Sequence, residues 1–343
     1  MTAEPKPAAG GREVRLAGAA VALAGLLAYA NSLRGAFFFD DRVSIAENPS
    51  LRDLGKLGVV LWPDLGGGAT VNGRPILNLS LAINYAISGT HPWSYHAFNL
   101  AAHVAAGLAL FGIVRRTLLL CSGRGFARSL PPTGFALAAA LLWTVHPLLT
   151  ESVTYIVQRA ESLMGMFYLL TLYCFVRGLS GRARLWHSLS VAACLLGMGT
   201  KEVTATAPVL VLLYDRTFAA GSFAEAWRRR RAYYAALAAT WLPLALLVAQ
   251  TGGDRGGTVG FDVGIKWWAY GLTQLEAIPR YLLLSVWPRP LVFEYGTFWV
   301  KSAGEVLPGA LLVLALLLAT LYALFGPAAN GSGRRGLGFL GAW

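Results

Sequence analysis

Two neighbouring carboxylates, Asp40 and Asp41, follow the aromatic run Phe37-Phe38-Phe39 at the mouth of the first long apolar segment. An acid at a membrane exit is suited to take a proton from an acceptor hydroxyl. Cations at Arg74, Arg159 and Lys201 supply charge that can neutralise a departing phosphate, so the set amounts to a kit for transfer from a phosphate-linked donor. In an extended backbone neighbouring side chains point to opposite faces, which leaves one aspartate to react and the other to orient a loop. The ordinary alternative for Asp40 is a helix cap or an ion pair with Arg42.

The elements that must position these groups carry polar residues of their own. If Leu149 to Leu163 is helical, Glu151, Tyr155, Gln158 and Ser162 form a stripe, with Arg159 on one flank and Glu161 on the other. A solvated face would look the same. The next hairpin apex holds Lys201-Glu202 with little chain on either side to keep it in water, and charges that close to a membrane pair with one another or serve a site. In the second span His96, Asn99 and His103 recur at i, i+3 and i+7, so they share a face that points into the bundle. Interhelical hydrogen bonding accounts for them. A metal site built on the two histidines lacks an identifiable third ligand, and a need for a divalent cation stays open.

Of the 343 residues, 56% are hydrophobic and 13% charged, which excludes an ordinary soluble domain. Long apolar runs without the alternation of barrel strands predict an all-α polytopic transmembrane bundle. The expected spans are 16–33, 96–114, 135–146, 162–176, 188–199, 203–214, 233–250 and 307–325. The shorter ones should continue through adjacent polar stretches while packed on protein. A tail at 1–15 precedes this 16–325 unit and a segment at 326–343 follows it; the first outer loop covers 34–95 and a second outer segment 251–306. Lys266 to Trp287 contains Glu276, Pro279 and Arg280, and a central charge in a span costs roughly 2.5–3.5 kcal/mol, so an interfacial or re-entrant element is expected. Trp267, Trp268, Trp287 and Trp299 read as interface anchors. Ile76 to Ile87, with Leu77, Leu81 and Ile87 among Asn78, Ser80 and Asn84, reads as an amphipathic interfacial helix.

With the N-terminus inside, 17 of the 29 basic residues but only four of the 17 acids fall on the cytoplasmic face, as the positive-inside rule requires. The net charge of +12, including the run Arg228 to Arg231, is therefore a topology signal. It offers contact to anionic membrane lipid, and no nucleic-acid partner is expected. Cys121, Cys174 and Cys194 fall in or beside cytoplasmic or intramembrane segments, so no outer disulfide is expected. Ala28-Tyr29-Ala30 mimics a signal-peptide cleavage site, but an Ala-rich helix produces that pattern readily and the first span is expected to be retained. The ending Gly338 to Trp343 reads as the start of a further span, which would make the sequence a fragment.

The ordered series Asn31-Ser32-Leu33, Phe37-Phe38-Phe39-Asp40-Asp41, Asn48-Pro49, Arg74-Pro75, Asn84-Tyr85, His96 through His103, Trp143 through His146-Pro147, Thr150-Glu151, Gln158-Arg159-Ala160-Glu161, Lys201-Glu202 and Trp287-Pro288 resembles the membrane part of the transmembrane and tetratricopeptide-repeat (TMTC) proteins and their bacterial relatives. The resemblance covers roughly residues 25 to 325. It implies a GT-C type fold and an inverting transfer of a mannose-like sugar from a polyprenyl- or dolichyl-phosphate donor to a protein hydroxyl on the extracytoplasmic side. It implies Asp40 as catalytic base with Asp41 beside it, and a donor-phosphate pocket shaped by Arg159 with Glu161 and Lys201 with Glu202, with Arg74 near. The membrane would be the plasma or inner membrane in a bacterium and the endoplasmic reticulum in a eukaryote. No tetratricopeptide repeat occurs in these 343 residues, and the bundle is shorter than in that family. The competing class is a non-catalytic transporter or assembly scaffold, which would tolerate loss of Asp40.

Overall fold

The structure is a computed structural model that describes residues 11–63, 70–122, 130–251, 266–296, 300, 303–326 and 332–343. Trp299, among the expected interface anchors, and Glu4, Lys6, Arg124, Arg128 and Lys301 lie outside the described residues. The helices are α1 Gly11–Tyr29, α2 Pro75–Ser88, α3 Trp93–Leu120, α4 Pro132–Thr144, α5 Arg159–Gly178, α6 Ala183–Met198, α7 Ala207–Tyr214, α8 Phe223–Ala239, α9 Trp241–Gln250, α10 Trp267–Val286, α11 Ala303–Phe325 and α12 Ser332–Ala342. No strand occurs among the described residues. Helix starts are chemically marked. Pro75 and Pro132 open their helices where a missing N–H costs nothing, and Ser222 caps α8 by accepting the Glu225 N–H.

Four stretches are long and apolar enough to cross a membrane: Gly11–Arg34, Trp93–Leu120, Phe223–Gln250 and Gly304–Phe325. Pro132–Thr144 and Pro147–Thr154, bent by 50°, make a fifth when taken as one span. The outward leucines of α11, such as Leu307, Leu311 and Leu317, remain exposed in a way that only lipid would cover. The protein is thus an all-α polytopic membrane bundle. The other expected spans turn one face into its interior. Leu172, Phe175 and Val176 of α5 pack with Ala106 and Ile113 of α3, Met198 of α6, Val211 and Tyr214 of α7 and Leu237 of α8. In lipid such packing rests on close van der Waals contact. Gly112 shows how close: a Cβ there would fall 2.3 Å from the Tyr173 ring.

The short α7 does run on into a polar stretch, a π-helical turn at Asp215–Ala219, where buried Asp215 receives Arg230 and the Tyr234 hydroxyl. The Tyr214 and Thr117 hydroxyls meet at 2.6 Å, and Arg216 donates to the Leu324 carbonyl. These contacts gather the ends of α3, α7, α8 and α11 at one end of the bundle, which is rich in arginine. The opposite end carries the first loop. Here Ile45, Leu51, Leu77, Leu81, Tyr95 and Ile156 form a separate apolar cluster that seats the first loop on the bundle.

One expectation meets a different geometry at this end. In α2 the polar residues are buried along with the leucines: Asn78, Ser80 and Asn84 are as buried as Leu77 and Leu81, while Ile83 and Ile87 are exposed. Asn78 donates to the Val60 carbonyl and the Ser50 hydroxyl and accepts from Asn48, so these amides stitch the loop together rather than facing headgroups. The segment from Lys266 forms one continuous helix despite Pro279. Its Thr273 hydroxyl accepts the Val300 N–H and its Ser285 carbonyl meets His146 Nε2, so both ends of α10 are held at the loop-bearing end.

Candidate functional site

The site is organised by the turn between α4 and α5. His146-Pro147 stops α4, and the His146 ring accepts the Leu148 N–H to start a short turn. Instead of continuing as one helix, the chain extends at Tyr155, whose ψ of 114° breaks the stripe expected on a single face. That break sends Tyr155 toward the first outer loop, while Gln158, Glu161 and Ser162 keep to the other side.

Asp40 and Asp41 sit in a tight turn rather than an extended strand, just after Phe39 at a φ of 47°. A bulky residue at positive φ carries strain, which is common where a loop is held for function. Asp41 is buried, and its carboxylate accepts the Phe38 N–H at 3.0 Å and the Val157 N–H at 2.8 Å. Burial pushes its pKa up to about 6 against the pull of those two amides. Asp40 is exposed, and its backbone N–H donates to the Tyr155 hydroxyl at 3.0 Å. One carboxylate therefore ties two loops together, and its neighbour is presented to the outside.

Arg159 is fully buried. Its Nε donates to Asn99 Oδ1 at 2.7 Å, its NH1 to the Ser80 carbonyl at 3.0 Å and its NH2 to the Tyr95 carbonyl at 2.9 Å. The guanidinium also stacks 4.4 Å from the Phe98 ring centroid. It staples α2, α3 and α5 and does not open onto a surface. Asn99 is buried beside it and donates to the Ile156 carbonyl. His103 is buried as well, bonded to the Thr144 carbonyl at 2.8 Å and stacked on Trp143. His96 lies buried against Gly35. The three residues share an inward face and belong to interhelical packing.

Arg74, Glu161, Lys201 and Glu202 are brought together. Lys201 pairs with Glu161, and Arg74 reaches Glu202 at 3.6 Å. The convergence depends on Gly199, whose carbonyl accepts the Ile76 N–H at 2.9 Å; a Cβ on Gly199 would lie 2.6 Å from Ile76 Cγ1. Burial lowers the pKa of Arg74, opposed by the charge of Glu161. Its NH1 donates to the Thr70 carbonyl, whereas its buried Nε has no acceptor among the described residues. Glu161 also borders a cavity of about 430 Å³ whose polar wall includes Glu151, Ser152, Gln158 and Ser162, and whose apolar wall includes Trp143, Leu148 and Leu149. That mix of walls suits a ligand with one polar and one apolar part.

Sequence reasoning did not single out Phe293. Its ring packs 5.4 Å from Phe38 and 5.3 Å from Tyr155, forming an exposed aromatic patch beside Asp40. No local signal marked it, since it lies more than 250 positions from Phe38. Among the described residues no three metal-ligating side chains gather.

No family model matches the chain, and no solved structure matches it. Among curated proteins it is similar to the protein O-mannosyl-transferase TMTC2 of Homo sapiens, 32% identical over 202 residues that make 56% of this chain and 23% of that protein. It is 34% identical over 195 residues to the protein O-mannosyl-transferase Tmtc1 of Drosophila melanogaster, covering 54% and 21% of the two chains. With the protein O-mannosyl-transferase TMTC4 of Mus musculus it shares 30% identity over 212 residues, 57% and 28%. The matched region is about a quarter of the length of these relatives. The similarity bears out the resemblance read from the ordered motifs.

Proposed function

From this kinship with the TMTC proteins, we propose that the chain is the membrane part of a glycosyltransferase that moves a mannose-like sugar from a polyprenyl- or dolichyl-phosphate donor to a protein hydroxyl on the extracytoplasmic side. The observation that carries the reading is the division of the aspartate pair. Asp41 is locked on the Phe38 and Val157 amides, and Asp40 is left exposed on a loop fixed by Tyr155.

In the proposed step the acceptor oxygen attacks the anomeric carbon as Asp40 takes its proton. The bond from that carbon to the phosphate oxygen breaks, and the lipid phosphate leaves with the electron pair. A single displacement inverts the anomeric centre. Lys201 and the Arg74 Nε, which has no acceptor among the described residues, meet the charge that develops on the phosphate. With Glu161 and Glu202 in place the quartet is electrically neutral, so an arriving phosphate must loosen a glutamate from its cation. Arg159 serves as a positioning residue, holding the turn that carries Tyr155, Val157 and Glu161.

The test is a transfer assay. Membranes carrying the protein are supplied with polyprenyl-phosphate mannose, and secreted or added proteins are searched by mass spectrometry for a new hexose on Ser or Thr. Hexose transfer that depends on the chain is expected. No transfer with any lipid-phosphate hexose sinks the reading.

A further inference from the structure

Two segments at the end of the bundle opposite Asp40 carry cations without carboxylates. Residues 115–131 and 177–200 contain seven arginines and neither Asp nor Glu. Three of these arginines lie near one another. Arg116 of α3 is within Coulombic reach of Arg115 and of Arg177 on α5, and it bonds to the Tyr173 hydroxyl. Arg115 Nε donates to the Thr133 hydroxyl at 3.2 Å, and the Arg177 guanidinium lies 4.4 Å from the Trp186 ring centroid. All three are half-buried, and among the described residues none forms an ion pair. The nearby basic run differs, since Arg228 and Arg229 share Glu225 and Arg230 holds Asp215. Three guanidinium groups that have only neutral partners repel one another, and an anion relieves that repulsion.

Their depth says which anion. Asn99 and Arg116 are 17 residues apart on α3, and Arg159 and Arg177 are 18 apart on α5. At 1.5 Å per residue each pair is separated by about 26 Å, close to the ~30 Å thickness of a hydrocarbon core. The arginines therefore lie at the second membrane boundary, where headgroup phosphates sit, with Trp186 as an interfacial ring beside them. Leu119 and Leu120 of α3 and Leu185 and Leu189 of α6 stay exposed on the same helices, as acyl chains require and a free anion does not.

We propose that Arg115, Arg116 and Arg177 form a binding site for the headgroup phosphate of an anionic phospholipid, in the leaflet opposite the Asp40 loop. The site is separate from the proposed sugar transfer and does not rest on it. Arg presents a planar fork that matches two phosphate oxygens, and its clustering favours a lipid phosphate over a neutral zwitterion.

The full chain, purified in mild detergent, is titrated with phosphatidylglycerol and with phosphatidylcholine and read by native mass spectrometry. Wild type is expected to retain phosphatidylglycerol preferentially. Arg116→Gln with Arg177→Gln should weaken that binding by up to about 30-fold, each arginine near an anionic surface being worth roughly fivefold. Arg116→Lys with Arg177→Lys should keep most of it, and Arg228→Gln with Arg229→Gln should keep all of it. Equal retention of the two lipids by wild type overturns the proposal, and this holds even if the Gln variant folds poorly. Unchanged phosphatidylglycerol retention in that variant, or displacement of the lipid by millimolar inorganic phosphate, overturns it as well.

Discussion

Arg159→Gln separates a positioning role from a ligand role for the most buried cation in the chain. The wild-type guanidinium satisfies Asn99 Oδ1 and the carbonyls of Ser80 and Tyr95. A glutamine amide has two donors and a shorter reach, so it can serve one of the three. Each stranded buried acceptor costs about 1–3 kcal/mol, and breaking a buried charged network typically costs about 3–5 kcal/mol. That is a large share of the 5–15 kcal/mol by which folded proteins are commonly stable. The expected result is a thermal midpoint lower by several degrees in detergent, with transfer lost in proportion to the folded fraction. Arg159→Lys keeps the charge but not the fork, and should fall between wild type and Gln. The assay pairs thermal unfolding with binding of a lipid-phosphate donor. An Arg159→Gln protein as stable as wild type that has lost donor binding would refute the reasoning, because the guanidinium would then have been free to hold phosphate.

For Asp41→Asn, the amide presents a donor to one of two backbone N–H groups, and stability should drop by about 1–3 kcal/mol. The pKa of Asp41 is raised from 3.8 to about 6, so the folded state binds the proton more tightly than the unfolded one. Its contribution is then greatest below pH ~4 and is lost as pH rises through 6, so the deficit of the Asn variant in melting experiments should shrink over that interval. Lys201→Met should raise the KM for the donor roughly 10- to 100-fold, as expected for losing a charge-assisted contact, and the exchange Glu161→Lys with Lys201→Glu should restore melting but not transfer. Gly199→Val should overpack Ile76 and cost about 1–3 kcal/mol, and measured donor affinity should fall with it because Arg74 begins the same helix.

The helical class and the inward face of His96, Asn99 and His103 were legible because helical periodicity is a local signal. The burial of the polar residues of α2 was not. Asn78 and Ser80 look like surface residues until Asn48, Ser50 and the Arg159 fork are brought onto them, and those partners lie 28 to 79 positions away. Arg159 read as a cation open to a donor phosphate for the same reason. The split between Asp40 and Asp41 could be anticipated as two roles for two neighbours. Its cause was out of reach, because it lies in the Val157 amide and the Tyr155 phenol, 116 and 115 residues away. The sequence set Lys201 with Glu202 and Arg159 with Glu161, whereas the structure pairs Lys201 with Glu161 and Arg74 with Glu202, because the close approach of Gly199 to Ile76 brings two distant elements together.

The central claim is that Asp40 takes the acceptor proton, and single-turnover sugar transfer by Asp40→Asn with saturating lipid-phosphate donor tests it most directly. Removing a general base typically costs 10²–10⁴-fold in rate. The side chain is exposed, so thermal stability and donor affinity should stay at wild-type values while transfer falls at least about 100-fold. Transfer within a few-fold of wild type by a well-folded Asp40→Asn protein would contradict the account and return the chain to the scaffold class.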